Sequence, residues 1–175
     1  MHSHRLPAVV IPVYNAADDL ARCLESVRST VPAGTAVIVI DDASTDPAVN
    51  EVLSRFRGGA GADWVFETNR RNLGFVATVN RGIGMTGDDV VLLNSDTEVT
   101  SGWLQGLHRC LESDPAIATA TPWTNNGEIA SMPRLCEANP VPPDPERVAG
   151  CIAAAGAPVY PELPTAVGFC MAVSR

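Results

Sequence analysis

Val90-Val91-Leu92-Leu93 passes without a break into Asn94-Ser95-Asp96-Thr97-Glu98. A short run with no polar alternation reads as a strand buried on both faces, as in a parallel sheet covered by helices. The same pattern stands upstream. Ala8-Val9-Val10-Ile11 leads into Pro12-Val13-Tyr14-Asn15, with Pro12 expected to close the strand because it lacks the ladder N–H, and Ala36-Val37-Ile38-Val39-Ile40 leads into Asp41-Asp42-Ala43-Ser44-Thr45-Asp46. In a parallel sheet the polar clusters after such strands share the C-terminal edge, where open α/β sheets form their ligand crevice.

The segments between these runs read as helices. Leu20, Cys23, Leu24 and Val27 recur at helical spacing, with Asn15 as an expected N-cap and Asp18 and Asp19 suiting a first turn. Asp46-Pro47 reads as N-cap and N1 proline before Val49, Val52, Leu53 and Phe56, and Gly58-Gly59-Ala60-Gly61 stops that helix. Trp64-Val65-Phe66 is a further strand. The turn Asn69-Arg70-Arg71-Asn72-Leu73-Gly74 then leads to a helix with Phe75, Val79 and Ile83. Trp103, Leu104, Leu107 and Leu111 mark another helix, and residues 117–121 another strand. Strand and helix therefore alternate through residue 121, which predicts a parallel sheet with right-handed crossovers.

After Pro122 the texture changes. Prolines crowd between Pro133 and Pro145, as in a functional loop. Asp144-Pro145 predicts a short helix reaching Ala155, and residues 166–173 are strand-like. The chain stops on Ser174-Arg175 directly after that strand, so a further C-terminal part is expected beyond it.

A chain of 175 residues fits one domain and buries a sizeable core. Its net charge is -8 and it has no lysine, a poor composition for nucleic acid or an anionic membrane. An anionic ligand would need local help from a metal or backbone N–H groups. The five cysteines are odd in number and form no CxxC pair, which speaks against a disulfide framework or zinc site and for a reducing cytosol. Cys23 and Cys110 fall on apolar helix faces and read as core. No apolar run is long enough for a transmembrane helix, and Met1-His2-Ser3-His4-Arg5 lacks a signal-peptide core. His2 and His4 read as a frayed terminus.

Each polar cluster has a plain structural reading: Pro12 to Asn15 as a turn, Asp41 and Asp42 as caps or Asx-turns, Asn94-Ser95-Asp96 as a strand end. Gathered on one edge, they favour a ligand site. Adjacent carboxylates repel unless a donor or cation is present. Asp96 offers a hard oxygen ligand suited to Mg2+ or Mn2+, ions that commonly bridge a protein acid and substrate phosphates. Tyr14 offers a face for stacking a base, Asp42 can accept a uracil or thymine imide N–H, and Asn72 and Asn80 supply amide groups. Gly82-Ile83-Gly84-Met85-Thr86-Gly87 matches GxGxxG by letter. It closes a helix instead of opening one, so it reads as a C-cap and turn. A P-loop is excluded by the missing lysine, and His108 is given no role.

The runs Val10-Ile11-Pro12-Val13-Tyr14-Asn15, Val39-Ile40-Asp41-Asp42-Ala43-Ser44-Thr45-Asp46, Asn72-Leu73-Gly74 with Asn80-Arg81-Gly82, and Leu93-Asn94-Ser95-Asp96-Thr97-Glu98 resemble the family 2 glycosyltransferases in order and spacing. The resemblance covers residues 7–175. It implies an α/β GT-A fold, a Rossmann-like three-layer sandwich with a mostly parallel central sheet and helices on both faces. It implies a hexosyl-type transfer from a nucleoside-diphosphate sugar to an acceptor hydroxyl on a glycan or lipid-linked molecule, usually with inversion; the Asp42 carboxylate puts UDP or dTDP ahead of GDP as the donor nucleotide, with guanine still open. On that likeness Pro12, Tyr14 and Asp42 surround the base, Asn15 belongs to the nucleotide-sugar-binding set, and Asn72, Gly74 and Asn80 lie near the nucleotide. Asn94 and Asp96 take the place of the DXD motif, with Asp96 as ligand of Mn2+ or Mg2+. Residues 1–175 would be a single domain, with 1–121 the nucleotide-binding half and 122–175 the incomplete start of an acceptor-side half. The expected setting is cytoplasmic synthesis of cell-surface polysaccharide or glycoconjugate, at the inner membrane face through partners or further segments.

The sequence departs from the family pattern at two points. Asn94 replaces the first acid of DXD. The general base expected downstream of Gly168-Phe169-Cys170 would lie beyond Arg175, and Glu128, Glu137 and Glu162 stand outside its context. The alternative is therefore a sugar-nucleotide-binding module without catalysis. A nucleotidyltransferase is weaker, because its Gly-rich, basic N-terminal loop is missing.

Overall fold

The computed structural model describes residues 5–58 and 61–175. The readings of His2 and His4, and the Gly59-Ala60 part of the helix stop, lie outside the described residues. The apolar runs form β1 (Ala8–Val13), β2 (Ala36–Asp41), β3 (Asp63–Thr68) and β4 (Val90–Leu93). The amphipathic segments form α1 (Ala17–Thr30), α2 (Pro47–Phe56), α3 (Phe75–Ile83) and α4 (Trp103–Ser113). β1 pairs in parallel with β2 and β4, and β2 in parallel with β3.

Side chains alternate across a strand, and this sorts the core into two sides. Val9, Ile11, Val13, Val37, Val39, Val91 and Leu93 pack beneath α1, α2 and α4. Val10, Ile38, Ile40, Val90 and Leu92 pack against Val79 of α3 on the other face. The result is three layers, as the alternation predicts. All four residues of β4 are buried, which accounts for its unbroken apolar sequence.

α3 sits close to the sheet because Gly82 faces it. A β-carbon there would stand nearer to Val10 Cγ1 than two carbons approach, and 3.3 Å from Ile40 Cδ1. Val10 is β-branched and boxed into the sheet, so it has little room to turn away. Gly82→Ala is expected to destabilise by about 1–2 kcal/mol, because overpacking outweighs the gain in helix propensity. A urea unfolding midpoint would register it.

The last two strands depart from the sequence expectations. The strand expected over residues 117–121 is only Thr119–Ala120 (β5), and the strand-like run 166–173 is a strand only at Cys170–Val173 (β6). Ile117 N–H turns back to Asp114 O, and Val167 N–H donates to the Thr121 hydroxyl, so neither joins the ladder. β6 is antiparallel to β4 and to β5 and lies between them, giving the order β3-β2-β1-β4-β6-β5. Pro12 also differs from expectation: it lies inside β1, opposite Ile40, and does not close it. Backbone groups alternate sides along a strand, and Val13 C=O faces β2. Pro12 therefore faces β4, whose ladder with β1 has already ended at Val10, so its missing N–H is not needed.

Beyond β5 the chain makes a 3-10 turn at Glu128–Ala130 and then α5 (Pro145–Ala154), opened by Asp144 accepting from Arg147 N–H at 2.9 Å. None of the α5 residues is buried. Among the described residues no helix is long and apolar enough to cross a membrane.

Candidate functional site

The ends of β1, β2, β3 and β4 line one edge of the sheet, and the loops leaving them interlock. Asp42 N–H donates to Val13 O and Asn69 N–H to Asp41 O, both at 2.8 Å. Asn15 does not cap α1 as expected. Its Oδ1 accepts from the N–H groups of Thr45 (2.9 Å) and Asp46 (3.0 Å), and its own N–H donates to Ser44 Oγ (2.9 Å). The N-cap is Ala16, with no side-chain hydrogen bond. Asn15 thus ties the β1 loop to the β2 loop.

This interlocking needs unusual backbone. Asn15, Ala16 and Ala43 have φ of 60°, 55° and 56°. Asn tolerates the left-handed region, whereas alanine in it costs about 1–2 kcal/mol. Ala43→Gly is expected to raise stability by about 0.5–1 kcal/mol, the relief being partly offset by glycine's greater unfolded-state freedom. Thermal unfolding with unchanged nucleotide affinity would bear this out.

The adjacent carboxylates of Asp41 and Asp42 are both buried and both answered by donors. Asp41 Oδ1 accepts from Ser44 N–H at 2.9 Å. Asp42 Oδ1 accepts from Asn69 Nδ2 (2.7 Å) and Leu73 N–H (2.8 Å), and Oδ2 from Gly74 N–H (2.8 Å). Burial by itself would raise the Asp42 carboxyl. Donation by Asn69, Leu73, Thr78 and Gly74 outweighs burial, so its pKa lies below the ordinary 3.8. Asn72 Oδ1 also accepts from Gly74 N–H, at 3.0 Å. Gly74, at φ 81°, is the N-cap of α3, so that helix begins at the crevice edge.

Sequence reasoning gave no role to Asn69, Thr78 and Arg81, which complete this cluster. Buried Asn69 Nδ2 also donates to buried Thr78 Oγ1 at 2.9 Å, and Arg81 Nη1 donates to Asn69 Oδ1 at 2.6 Å. The only sequence signal was weak: Thr78 and Arg81 stand three apart on one face of α3. Arg81 also pairs with Glu67. With Arg70 and Arg71 it lines a cleft of about 530 Å³ at the end of β3, so an acidic chain gathers positive charge beside the crevice.

At β4, Asn94 N–H donates to Phe169 O (2.9 Å), and Thr97 N–H closes a turn onto Asn94 O (3.2 Å). Asp96 stands exposed in this turn, and its carboxylate has no hydrogen bond or ion pair with the described residues. Beneath the turn the Cys23 thiol is buried, and burial first, then the Asp96 charge, pushes its pKa up to about 12. No group of three or more His, Cys, Asp or Glu side chains among the described residues could cage a metal. A free, solvent-facing carboxylate at the sheet edge fits the other mode, an ion shared between one protein acid and ligand phosphates.

Tyr14 is half exposed directly after β1. Asn80 is exposed on α3, about 7.5 Å along the helix from Phe75 at 1.5 Å per residue. Hydrogen bonds join Asp42, Asn72 and Gly74, and Asn15 anchors the neighbouring loop. Asn94 and Asp96 come alongside through the strand order β2-β1-β4. Pro12, Tyr14 and Asn80 enter no side-chain bond of this network.

A mostly parallel sheet with polar loops gathered on one edge is the architecture of GT-A glycosyltransferases. Two solved structures carry it: S. aureus TarS in complex with UDP-GlcNAc (TM-score 0.59, 17% identity, 69% of this chain and 34% of that one), and mannosyltransferase PcManGT from Pyrobaculum calidifontis in complex with GDP-Man and Mn2+ (TM-score 0.55, 20% identity, 71% and 37%). Residues 8–175 match the model of Glycosyl transferase family 2, and the chain belongs to that family. It is 37% identical over 123 residues to the pre-mycofactocin glycosyltransferase of Mycobacterium tuberculosis, covering 69% of this chain and 24% of that protein. It is 34% identical over 100 residues to the uncharacterized glycosyltransferase YibD of Escherichia coli, covering 57% and 28%. The chain thus spans well under half the length of these relatives.

Proposed function

We propose that this chain is the donor-binding part of an inverting glycosyltransferase that moves a sugar from a nucleoside diphosphate to an acceptor hydroxyl. The exposed Asp96 carboxylate, without a hydrogen-bond or ion-pair partner among the described residues, at the shared edge of β1, β2 and β4 carries this reading. Asp96 is the residue that would hold a divalent ion, with Asn94 beside it. Such an ion, when bound, would neutralise diphosphate charge and make the diphosphate a better leaving group. Mn2+ accompanies nucleotide ligands in two structural neighbours, PcManGT and GalNAc-T7.

The protein's own groups do the rest. Asp42 holds the 69–74 loop in place, and Asn72 and Gly74 shape the start of α3 at the crevice edge, with the helix dipole behind it. Tyr14 supplies a stacking face for the base and Pro12 the rigid strand end before it. Asn80 lies further along α3 as an amide contact for the donor. Arg70 and Arg71 add positive charge beside the diphosphate. Residues 1–121 serve the nucleotide, and residues 122–175 begin the acceptor side. The setting is cytoplasmic synthesis of a cell-surface glycan, with UDP or dTDP as donor nucleotide ahead of GDP.

Titrating UDP, dTDP and GDP with and without Mn2+, and then assaying sugar transfer, tests this. Mn2+-dependent nucleotide binding is expected. Binding without turnover in a full-length protein would favour a non-catalytic binding module, and no nucleotide binding at all would overturn both.

A further inference from the structure

The stretch that carries Asp96 has little structure of its own. After Leu93 the sheet ladder ends, and no helix begins before Trp103. What holds this stretch comes largely from α1. Cys23, Ser26 and Thr30 stand at i, i+3 and i+7 and share one helix face. Cys23 Sγ donates to Asn94 O at 3.6 Å, the same carbonyl on which Thr97 N–H closes the turn at 3.2 Å. Ser26 Oγ accepts from Val99 N–H at 3.0 Å while donating to Cys23 O at 2.8 Å. Thr30 Oγ1 accepts from Trp103 Nε1 at 3.1 Å while donating to Ser26 O at 2.7 Å. Both hydroxyls spend their proton on the helix and turn a lone pair to the segment.

These bonds hold the carbonyl that closes the Asp96 turn, at Asn94, and two anchor points after it, at Val99 and Trp103. None of the three side chains belongs to the crevice network around Asp42. We propose that this face of α1 is a positioning rail, on which Cys23, Ser26 and Thr30 fix the course of residues 94–103 and so the place of the Asp96 carboxylate. The inference rests on the assignment of Asp96 to a shared divalent ion. A lone protein ligand has no companions to correct its position, so the backbone beneath it must be held from elsewhere. Cys23 thereby gains a role that its burial on an apolar helix face conceals.

Three variants of the chain test this: Ser26→Ala, Cys23→Ala and Cys23→Ser. Two readouts are needed. The first is amide hydrogen exchange in the ligand-free chain. The second is Mn2+ affinity, read by water proton relaxation in the presence of UDP or GDP. Ser26→Ala and Cys23→Ala are expected to speed exchange at Thr97 and Val99 while leaving β1 and β2 unchanged. They are expected to weaken Mn2+ by about tenfold, the scale for supports behind a metal ligand, with metal-free nucleotide affinity preserved. Cys23→Ser keeps a donor and an acceptor and is expected to restore both readouts. Unchanged exchange over residues 94–103, faster exchange spread evenly through the chain, or local loosening with full Mn2+ affinity would each overturn the rail. If the unaltered chain bound no Mn2+ with nucleotide, the function proposed above would fail, and unchanged exchange would overturn the rail independently.

Discussion

Asp42→Ala will destabilise the chain by about 2–4 kcal/mol, more than any other single change at the crevice. The substitution removes the acceptor of Asn69 Nδ2, Leu73 N–H and Gly74 N–H together, and the charge that the Thr78 hydroxyl also favours. Bonds to a charged group contribute about 1.5–3 kcal/mol each, and a buried donor left without a partner adds its desolvation cost. Not every donor is stranded. Asn69 keeps Thr78, Gly74 keeps Asn72, and exposed Leu73 can reach water, which sets the loss below the simple sum. Asp42→Asn will recover less than half of it, because its NH2 must face an N–H donor. Urea unfolding of the three proteins gives the comparison.

The same bonds fix the pH dependence. The folded pKa of Asp42 is lowered from 3.8, so the folded chain takes up this proton less readily than the unfolded chain. Its stabilisation is fully present above about pH 4–5 and is lost as pH falls from there through the folded pKa. The stability gap between the natural chain and Asp42→Ala is therefore flat near neutral pH and narrows in acid. A gap that widened on acidification would contradict the sign.

Much of this arrangement was legible in the sequence because local signals agreed. The all-apolar β4, the Asp46-Pro47 start of α2 and the Leu20–Val27 stripe of α1 each state their own burial. What stayed hidden depends on partners far along the chain. β6 slots antiparallel between β4 and β5, and an apolar run does not record the direction of its neighbours. Asn15 looks like a helix cap from its sequence neighbours, yet its bonds go to Thr45 and Asp46. Asp42 looked free to read a base, whereas it already holds the loop after β3. Asn69 and Thr78 are ordinary residues until the fold places them against that carboxylate.

Asp96→Ala has the opposite profile. Asp96 is exposed and bonded to nothing among the described residues, so its loss should leave the unfolding midpoint where it is. Its effect falls on the ligand. One charged contact is worth about 1.5–3 kcal/mol, or roughly 10- to 100-fold in affinity. That factor should vanish from nucleotide binding only when a divalent ion is present. Asp42 and Asp96 thus separate into a carboxylate that builds the crevice and one that serves what enters it.

The most direct measurement is calorimetric titration of UDP, and of GDP in parallel, into the natural chain and Asp96→Ala, each with and without Mn2+. Mn2+ is expected to strengthen nucleotide binding to the natural chain and to leave Asp96→Ala unaffected, at equal thermal stability. An Asp96→Ala chain that kept the full Mn2+ enhancement would contradict the assignment of Asp96 to the metal and diphosphate.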